Sequence, residues 1–296
     1  MECLYPIEGF RQPDGTVRLV GERSDSAVQR AGHLEVACGR CRGCRVERSR
    51  QWAVRMMHEA STSPTACFLT LTYSDEHLPE DGSVSSREVT LFVKRMRKQL
   101  RKPLRYFACG EYGDRFGRPH YHMALFGEDF RSDGQPLPKT KTGFPQWTSP
   151  QLEQLWGKGR VAVMDVSFDS AQYVAKYVTK KVNGAQAAAH YHGRRPEFAS
   201  MSKRPAIGLT WFRQFHRDVY PSDECVVEGR PGRPPRYYDK VLEKEDPELY
   251  EFVKSRRRSR GLRRKGDDDS RERRAVRAEL AERRLRAFAR DLSGME

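Results

Sequence analysis

No apolar run in the 296 residues approaches the ~20 needed to cross a bilayer, and the mean hydropathy is −0.82. The opening residues, MECLYPIEGF, lack the basic-then-apolar layout of a secretory signal. A soluble cytoplasmic protein with no membrane partner is therefore expected. Cysteine is scarce and odd in number: seven residues, at 3, 38, 41, 44, 67, 109 and 225. In a reducing compartment that argues against a disulfide framework and favours metal ligation or free thiols. Three motifs are missing. Without G-x-x-x-x-G-K-[S/T] no helicase motor is expected in the chain. Without H-E-x-x-H, and without H-x-E followed by P-C-x-x-C, the helical zinc-protease and deaminase sites have no support. Acidic residues are the minority sign.

What is present is positive charge. Fifty-five Lys and Arg face 40 Asp and Glu, for a formal charge of +15. The isoelectric point is about 9.7. Such a balance calls for a polyanionic partner, and the dominance of arginine suits phosphate. An anionic membrane surface is the competing reading, but the cations are spread along the chain rather than confined to one helix.

The chain is organised around residues 110–126, GEYGDRFGRPHYHMALF. Two apolar runs, Leu104–Gly110 and Tyr121–Phe126, flank a Gly/Asp/Pro-rich connection of the kind that closes a β-hairpin. Side chains alternate along a strand, so His120, His122, Ala124 and Phe126 share one face. Glu111, just before the turn, can bring a carboxylate to the same spot. Two imidazoles and a carboxylate make an open-sided metal site. The plainer alternative is two histidines on a half-buried surface.

Residues 1–35 read as irregular, with a turn signal at Pro13-Asp14-Gly15. CGRCRGC follows, leading into a helix over about 43–60 with Val46, Ala53, Met56, Met57 and Ala60 as its apolar stripe. Arg45, Arg48 and Arg55 fall among its polar positions. Cys38, Cys41 and Cys44 lack a fourth ligand for structural Zn²⁺. Cys3 is the first candidate, with His33 or Cys67 behind it, and a metal-free thiol-rich turn is the alternative. Cys67–Tyr73 reads as a strand. Ser85-Ser86-Arg87-Glu88 reads as a capping box opening a helix to about residue 101, with Val89, Phe92, Val93, Met96 and Leu100 inward and Pro103 beyond its end. Residues 129–148 read as an exposed, mobile loop. A short helix over 150–156 precedes the strand Arg160–Val166. A helix capped by Asp169, with Gln172 at the reciprocal position, then runs to Val182 and stops at Asn183-Gly184. The order is strand, helix, strand, strand, strand, helix, which predicts a two-layer α+β sandwich with an antiparallel hairpin at its centre.

Beyond residue 184 basic and aromatic residues interleave, as on a nucleic-acid surface. KSRRRSRGLRRK over 254–265 and a helix over 270–292, striped by Val276, Leu280, Ala287, Phe288 and Leu292, read as an arginine-rich DNA-binding tail. Four segments are expected: 1–62, carrying the cysteine cluster and first helix; 63–184, the core; 185–250, a basic/aromatic extension; and 251–296, the tail.

The helix after RVAVMDV contains YVAKYVTKK. Tyr173 and Tyr177 stand four apart on one face, with Lys176 and Lys180 beside them. A tyrosine pair at this spacing is more often core packing than chemistry. A phenol titrates near 10, so a nucleophilic tyrosine needs a metal or cations nearby, and both are on offer here.

Together GRPHYH with upstream Glu111, CFLTLTY before it and YVAKYVTKK after it resemble the three motifs of HUH endonucleases, the rolling-circle replication initiators. The paired tyrosines resemble the two-tyrosine class. CGRCRGC, PEFASMS and RPPRYYDK are similar to replication initiators of gokushovirus-type single-stranded DNA phages. The resemblance covers about residues 38–240. It implies a palm-like antiparallel sheet with central histidines, and Mg²⁺ or Mn²⁺ bound by His120, His122 and an acidic group best matched by Glu111. It implies attack on origin single-stranded DNA by Tyr173 or Tyr177 beside Lys176, a 5′-phosphotyrosine, and a free 3′-OH as primer. Arg118, Lys180, Lys181, Arg256, Arg257 and Arg258 are the cations expected on nucleic acid. The motor and polymerase are expected from the host. Rival readings are a transposase or plasmid initiator, a zinc hydrolase, and a non-catalytic nucleic-acid-binding protein, which leaves the metal site and tyrosines idle.

Overall fold

The computed structural model describes residues 3–12, 16–19, 33–113, 117–140, 143–180, 186–264 and 271–292. Two compact units emerge: Met1–Arg48 with Gly261–Ser293, and Ser49–Arg260 with Gly294–Glu296. In the first, β1 (Ile7–Arg11), β2 (Val17–Leu19) and β3 (His33–Val36) form an antiparallel sheet in the order β2-β1-β3. This corrects the irregular reading of residues 1–35. These strands are short and largely exposed, so no alternation of apolar residues announces them. Helix α1 (Arg42–Ser61) begins in this unit and continues into the other.

The second unit carries, in chain order, β4 (Ala66–Thr72), α2 (Ser86–Leu100), β5 (Arg105–Tyr112), β6 (Pro119–Phe126), β7 (Gln135–Leu137), β8 (Gln146–Thr148), α3 (Pro150–Trp156), β9 (Val161–Met164), α4 (Phe168–Lys180), α5 (Gln186–Tyr191) and β10 (Phe198–Met201). Next come α6 (Leu209–Ser222), β11 (Cys225–Val227), β12 (Arg230–Gly232), α7 (Arg236–Glu245) and α8 (Pro247–Arg264); α9 (Arg271–Leu292) ends the chain's described residues. Seven strands form one antiparallel sheet in the order β10-β5-β6-β4-β9-β8-β7.

Strand alternation divides this sheet into two apolar faces. Cys67, Leu69 and Leu71 of β4 and Tyr121, Met123 and Leu125 of β6 pack under Val89, Phe92, Val93 and Met96 of α2 and Leu152, Leu155 and Trp156 of α3. Phe68, Phe107, Cys109, Ala124 and Phe126 face the other way, against Ala53 and Met56 of α1 and Ala171, Val174 and Ala175 of α4. The α+β class and the central antiparallel sheet are as expected, and helices flank both of its faces. A third cluster joins Val54 of α1 to Phe212, Tyr220, Tyr238, Leu242 and Val253 of α6, α7 and α8. Among the described residues no helix is long and apolar enough to cross a membrane.

Several local expectations are corrected. Residues 129–148 are no exposed loop: the β7–β8 hairpin widens the sheet, Phe130 and Trp147 are buried, and the Arg131 guanidinium lies 4.2 Å over the Trp147 ring. Strands of three residues are too short for alternation to reveal. Ser85 makes no side-chain cap, because Glu88 is drawn into an ion pair with Lys158 at 2.7 Å. Helix α4 is opened by Ser167 and Ser170, each accepting from the other's backbone N–H, rather than by Asp169 and Gln172. Its expected stop, Asn183-Gly184, lies outside the described residues. Arg55 is not polar surface but buried: its guanidinium lies 4.0 Å from the ring centroids of both Trp52 and Tyr237, and its Nε donates to the Ile207 carbonyl.

Candidate active site

Hairpin register builds the site. In the β5–β6 ladder Glu111 lies opposite His120 and Cys109 opposite His122; in the β4–β6 ladder Thr70 lies opposite His122. Directly opposed residues point to the same face, so Thr70, Glu111, His120 and His122 project together toward α4. Glu111 Oε1 lies 3.0 Å from His120 Nε2 and 2.7 Å from His122 Nε2. One ligand atom from each of the three residues lies within 4.8 Å of the others.

Tautomers follow from the partners. His120 Nδ1 is 3.1 Å from the Arg118 carbonyl, which can only accept, so Nδ1 carries the hydrogen. A neutral His120 ring therefore turns its Nε2 lone pair toward an acceptor oxygen. His122 Nδ1 is 3.0 Å from Thr70 Oγ1, while its Nε2, though close to Glu111, has no aligned hydrogen bond among the described residues. Glu111 Oε2 is buried and likewise without one. Burial pushes the Glu111 carboxyl up, but His120 and His122 together outweigh it and hold it down at about 2. Burial pushes the His122 imidazole down, beyond the opposing pull of Glu111. A carboxylate and neutral imidazoles are the forms that ligate a cation.

Helix α4 closes the site from above. The buried Tyr173 donates its hydroxyl to Glu111 Oε1 at 3.2 Å, and its ring stands edge-on to His122 with centroids 5.1 Å apart. Lys176 Nζ lies 4.0 Å from the Tyr173 ring centroid. The backbone of α4 includes Tyr177 and Lys180, one turn on, but their side chains lie outside the described residues, as does all of Lys181.

The other expected nucleic-acid contacts divide. Arg118 reaches Asp75 at 2.6 Å and the Tyr73 carbonyl at 3.0 Å. Arg256 donates to the Pro221 carbonyl, and Arg258 is exposed. Arg257 turns inward, bridging Asp223 at 2.5 Å and Asp239 at 2.8 Å, and so anchors α8 instead of facing outward. In the first unit Cys3, Cys38, Cys41 and Cys44 converge, whereas Cys67 is buried under the seven-stranded sheet with its Sγ on the Glu128 carbonyl. The side chain of His33 lies outside the described residues. Thr70 was not legible as a partner of His122. Period two puts it on the right face of β4, but only the register sets it opposite.

An antiparallel sheet with a histidine pair and a glutamate on a central hairpin, under a tyrosine-bearing helix, is consistent with the HUH endonuclease fold. Residues 66–182 match the family described as replication-associated protein ORF2. The chain is 32% identical over 261 residues to replication-associated protein VP4 of Bdellovibrio phage phiMH2K, covering 84% of this chain and 80% of that one. To replication-associated protein ORF2 of Spiroplasma virus 4 it is 32% identical over 281 residues, 87% of this chain and 86% of the relative. Replication-associated protein ORF4 of Chlamydia phage 1 is 32% identical over 224 residues, 73% of this chain and 55% of its own. The chain belongs to this family of phage replication-associated proteins. No solved structure gives a significant match.

Proposed function

We propose that the chain nicks and rejoins single-stranded DNA at an origin, starting and ending rolling-circle replication through a 5′-phosphotyrosine. One observation carries this reading: Glu111 Oε1 lies within 3.2 Å of both His120 and His122 Nε2 atoms and of the Tyr173 hydroxyl. A ligand trio and a nucleophile-bearing side chain meet at one oxygen. The donor set fits Mg²⁺ or Mn²⁺, since a buried carboxylate oxygen and an imidazole nitrogen there have no hydrogen-bond partner among the described residues. His120, His122 and Glu111 would hold the cation, which supplies charge neutralisation and orientation of the scissile phosphate.

The chain's own residues supply the rest. The Tyr173 oxygen attacks phosphorus in line, forming an O–P bond as the P–O3′ bond breaks. The departing oxygen takes a proton and becomes the 3′-OH primer. Lys176, above the phenol ring, opposes the negative charge that grows on the attacking oxygen. Tyr177, a turn further along α4, serves the second cut, after which the first 3′-OH displaces its phosphotyrosine and closes the circle. Phosphodiester energy is conserved in the covalent link, so no ATP is used in these steps. Unwinding and extension fall to host helicase and polymerase. Arg118, Lys180, Lys181, Arg256 and Arg258 carry phosphate contacts.

The test is incubation with end-labelled single-stranded origin DNA and Mn²⁺. A covalent protein–DNA adduct is expected from the native chain and none from Tyr173→Phe/Tyr177→Phe. An adduct that persists in the double variant would move the nucleophile elsewhere, with Tyr106, Tyr112 and Tyr121 next to be tested.

A further inference from the structure

Among the described residues, the first unit has almost no interior: the only buried positions from residue 3 to residue 48 are Gly9 and Gly43, neither with a side chain to pack. None of the three apolar clusters draws on it. A three-stranded sheet of this size does not hold its form by hydrophobic burial, and a metal or covalent staple is the usual substitute.

Four thiols gather where such a staple would act. The Cys3 and Cys41 sulfurs are 3.9 Å apart, and those of Cys38 and Cys44 are 4.0 Å apart. All four lie within 4.8 Å of one another. Sulfurs at the corners of a zinc tetrahedron, with Zn–S bonds of about 2.3 Å, stand about 3.8 Å apart. Disulfides would instead split the set into two bonded pairs at about 2.0 Å. Backbone N–H groups aim at the sulfurs: Leu4 and Cys44 toward Cys41, Cys38 toward Cys3, and Cys41 toward Cys38, at 3.2–3.5 Å. Donors so arranged favour thiolate over thiol.

We propose that Cys3, Cys38, Cys41 and Cys44 form a structural Zn²⁺ site. Four thiols lose their protons to solvent, and four Zn–S bonds form in a closed tetrahedron with no open position for substrate. The dianionic centre sits in a segment studded with Arg40, Arg42 and Arg45, which offset its charge. The staple ties the start of β1, through Cys3, to the first turn of α1, through Cys41 and Cys44. It is separate in residues and in role from the His120, His122 and Glu111 centre.

The test is metal analysis of the full-length chain purified without chelator or added metal. About one Zn²⁺ per chain is expected, released when a mercurial blocks the thiols. Replacement by Co²⁺ should give the intense visible absorption of tetrahedral cobalt thiolate. His120→Ala/His122→Ala should keep its zinc, and Cys3→Ser should lose it. If the cysteine variant does not fold, release and cobalt exchange on the native chain still decide. Zinc-free soluble protein, bound iron, disulfides in unreduced protein, or zinc that follows the histidines would each overturn the assignment.

Discussion

At the residue scale the sharpest distinction is between groups that hold the centre and groups that react there. His120→Ala or His122→Ala removes a ligand without touching the apolar side of the sheet, so thermal stability and bulk DNA binding should stay close to native. Covalent adduct formation should fall by at least about a hundredfold, the scale on which removing an electrostatic stabiliser acts. Full nicking by the double variant would refute the ligand assignment. Tyr173→Phe keeps the packed ring and removes one hydrogen bond to Glu111; it should spare the fold and leave residual cleavage through Tyr177, but abolish circle release. These residues were legible because their spacing is itself geometry: His-x-His is one pleat and Tyr-x-x-x-Tyr is one turn. Thr70 and the Arg118 carbonyl were not, since each acts from a place that only pairing and turn geometry determine.

A second residue gives a pH signature. His58 is buried, stacked on Trp211 at 3.4 Å between centroids, with Nδ1 2.9 Å from the Tyr238 hydroxyl. Burial pushes its imidazole down to about 3, so the ring is neutral in the fold. In the unfolded chain it titrates near 6.5, so the unfolded state binds the extra proton in acid. Stability is therefore fully present above about pH 6.5 and is lost as pH falls toward 3. At pH 5 the loss from this one group is about 2 kcal/mol. Urea unfolding at pH 7 and pH 5 should show a smaller fall for His58→Gln than for the native chain, whatever their absolute stabilities. Equal falls would remove His58 from the account.

At the element scale the fold was legible where elements are long. β4, β5, β6, α1, α2, α3 and α4 end within about three residues of where periodicity puts them, the scatter expected of boundaries. Strands of three or four residues were missed, and β10 most instructively: FASM is too short and mixed to announce itself, yet it pairs with Phe107–Gly110 and extends the hairpin sheet. Close approach of backbones is another feature that only the fold reveals. Gly159 has φ +150°, and a Cβ there would lie 2.4 Å from the Thr72 carbonyl and 2.5 Å from the Ser74 nitrogen. Neither backbone atom can step aside, because Ser74 and Thr72 donate to the carbonyls of Lys158 and Arg160. Gly159→Ala should cost about 3 kcal/mol in a denaturant titration. A loss under about 1 kcal/mol would mean that β4 and the entry to β9 are not locked together.

At the scale of the whole molecule the dominant quantity is charge, +15 across the chain. Its arginine-rich end is not uniform in role. Arg257 is fixed between Asp223 and Asp239, so a truncation at residue 254 would strip a structural anchor along with any DNA contact. The informative cut removes residues 271–296 and leaves α8 whole. The described side chains of α9 are mostly exposed, including Val276 and Leu280, so the core of the second unit loses no buried residue. If α9 follows the DNA backbone, the truncated chain should bind single-stranded DNA more weakly regardless of sequence. The slope of log K against log salt should become shallower by about 0.7 for each phosphate no longer neutralised. Cleavage of a short origin strand at saturating protein should persist, because His120, His122, Glu111 and Tyr173 are untouched. Arg256→Ala/Arg258→Ala should shift the slope in the same sense with little change in melting temperature, whereas Arg257→Ala should lower the melting temperature. Fluorescence anisotropy across a salt series measures both slopes. An unchanged slope after removal of 271–296 would mean that the helix faces a protein partner, and the excess positive charge would then have to act through the arginines of the remaining chain.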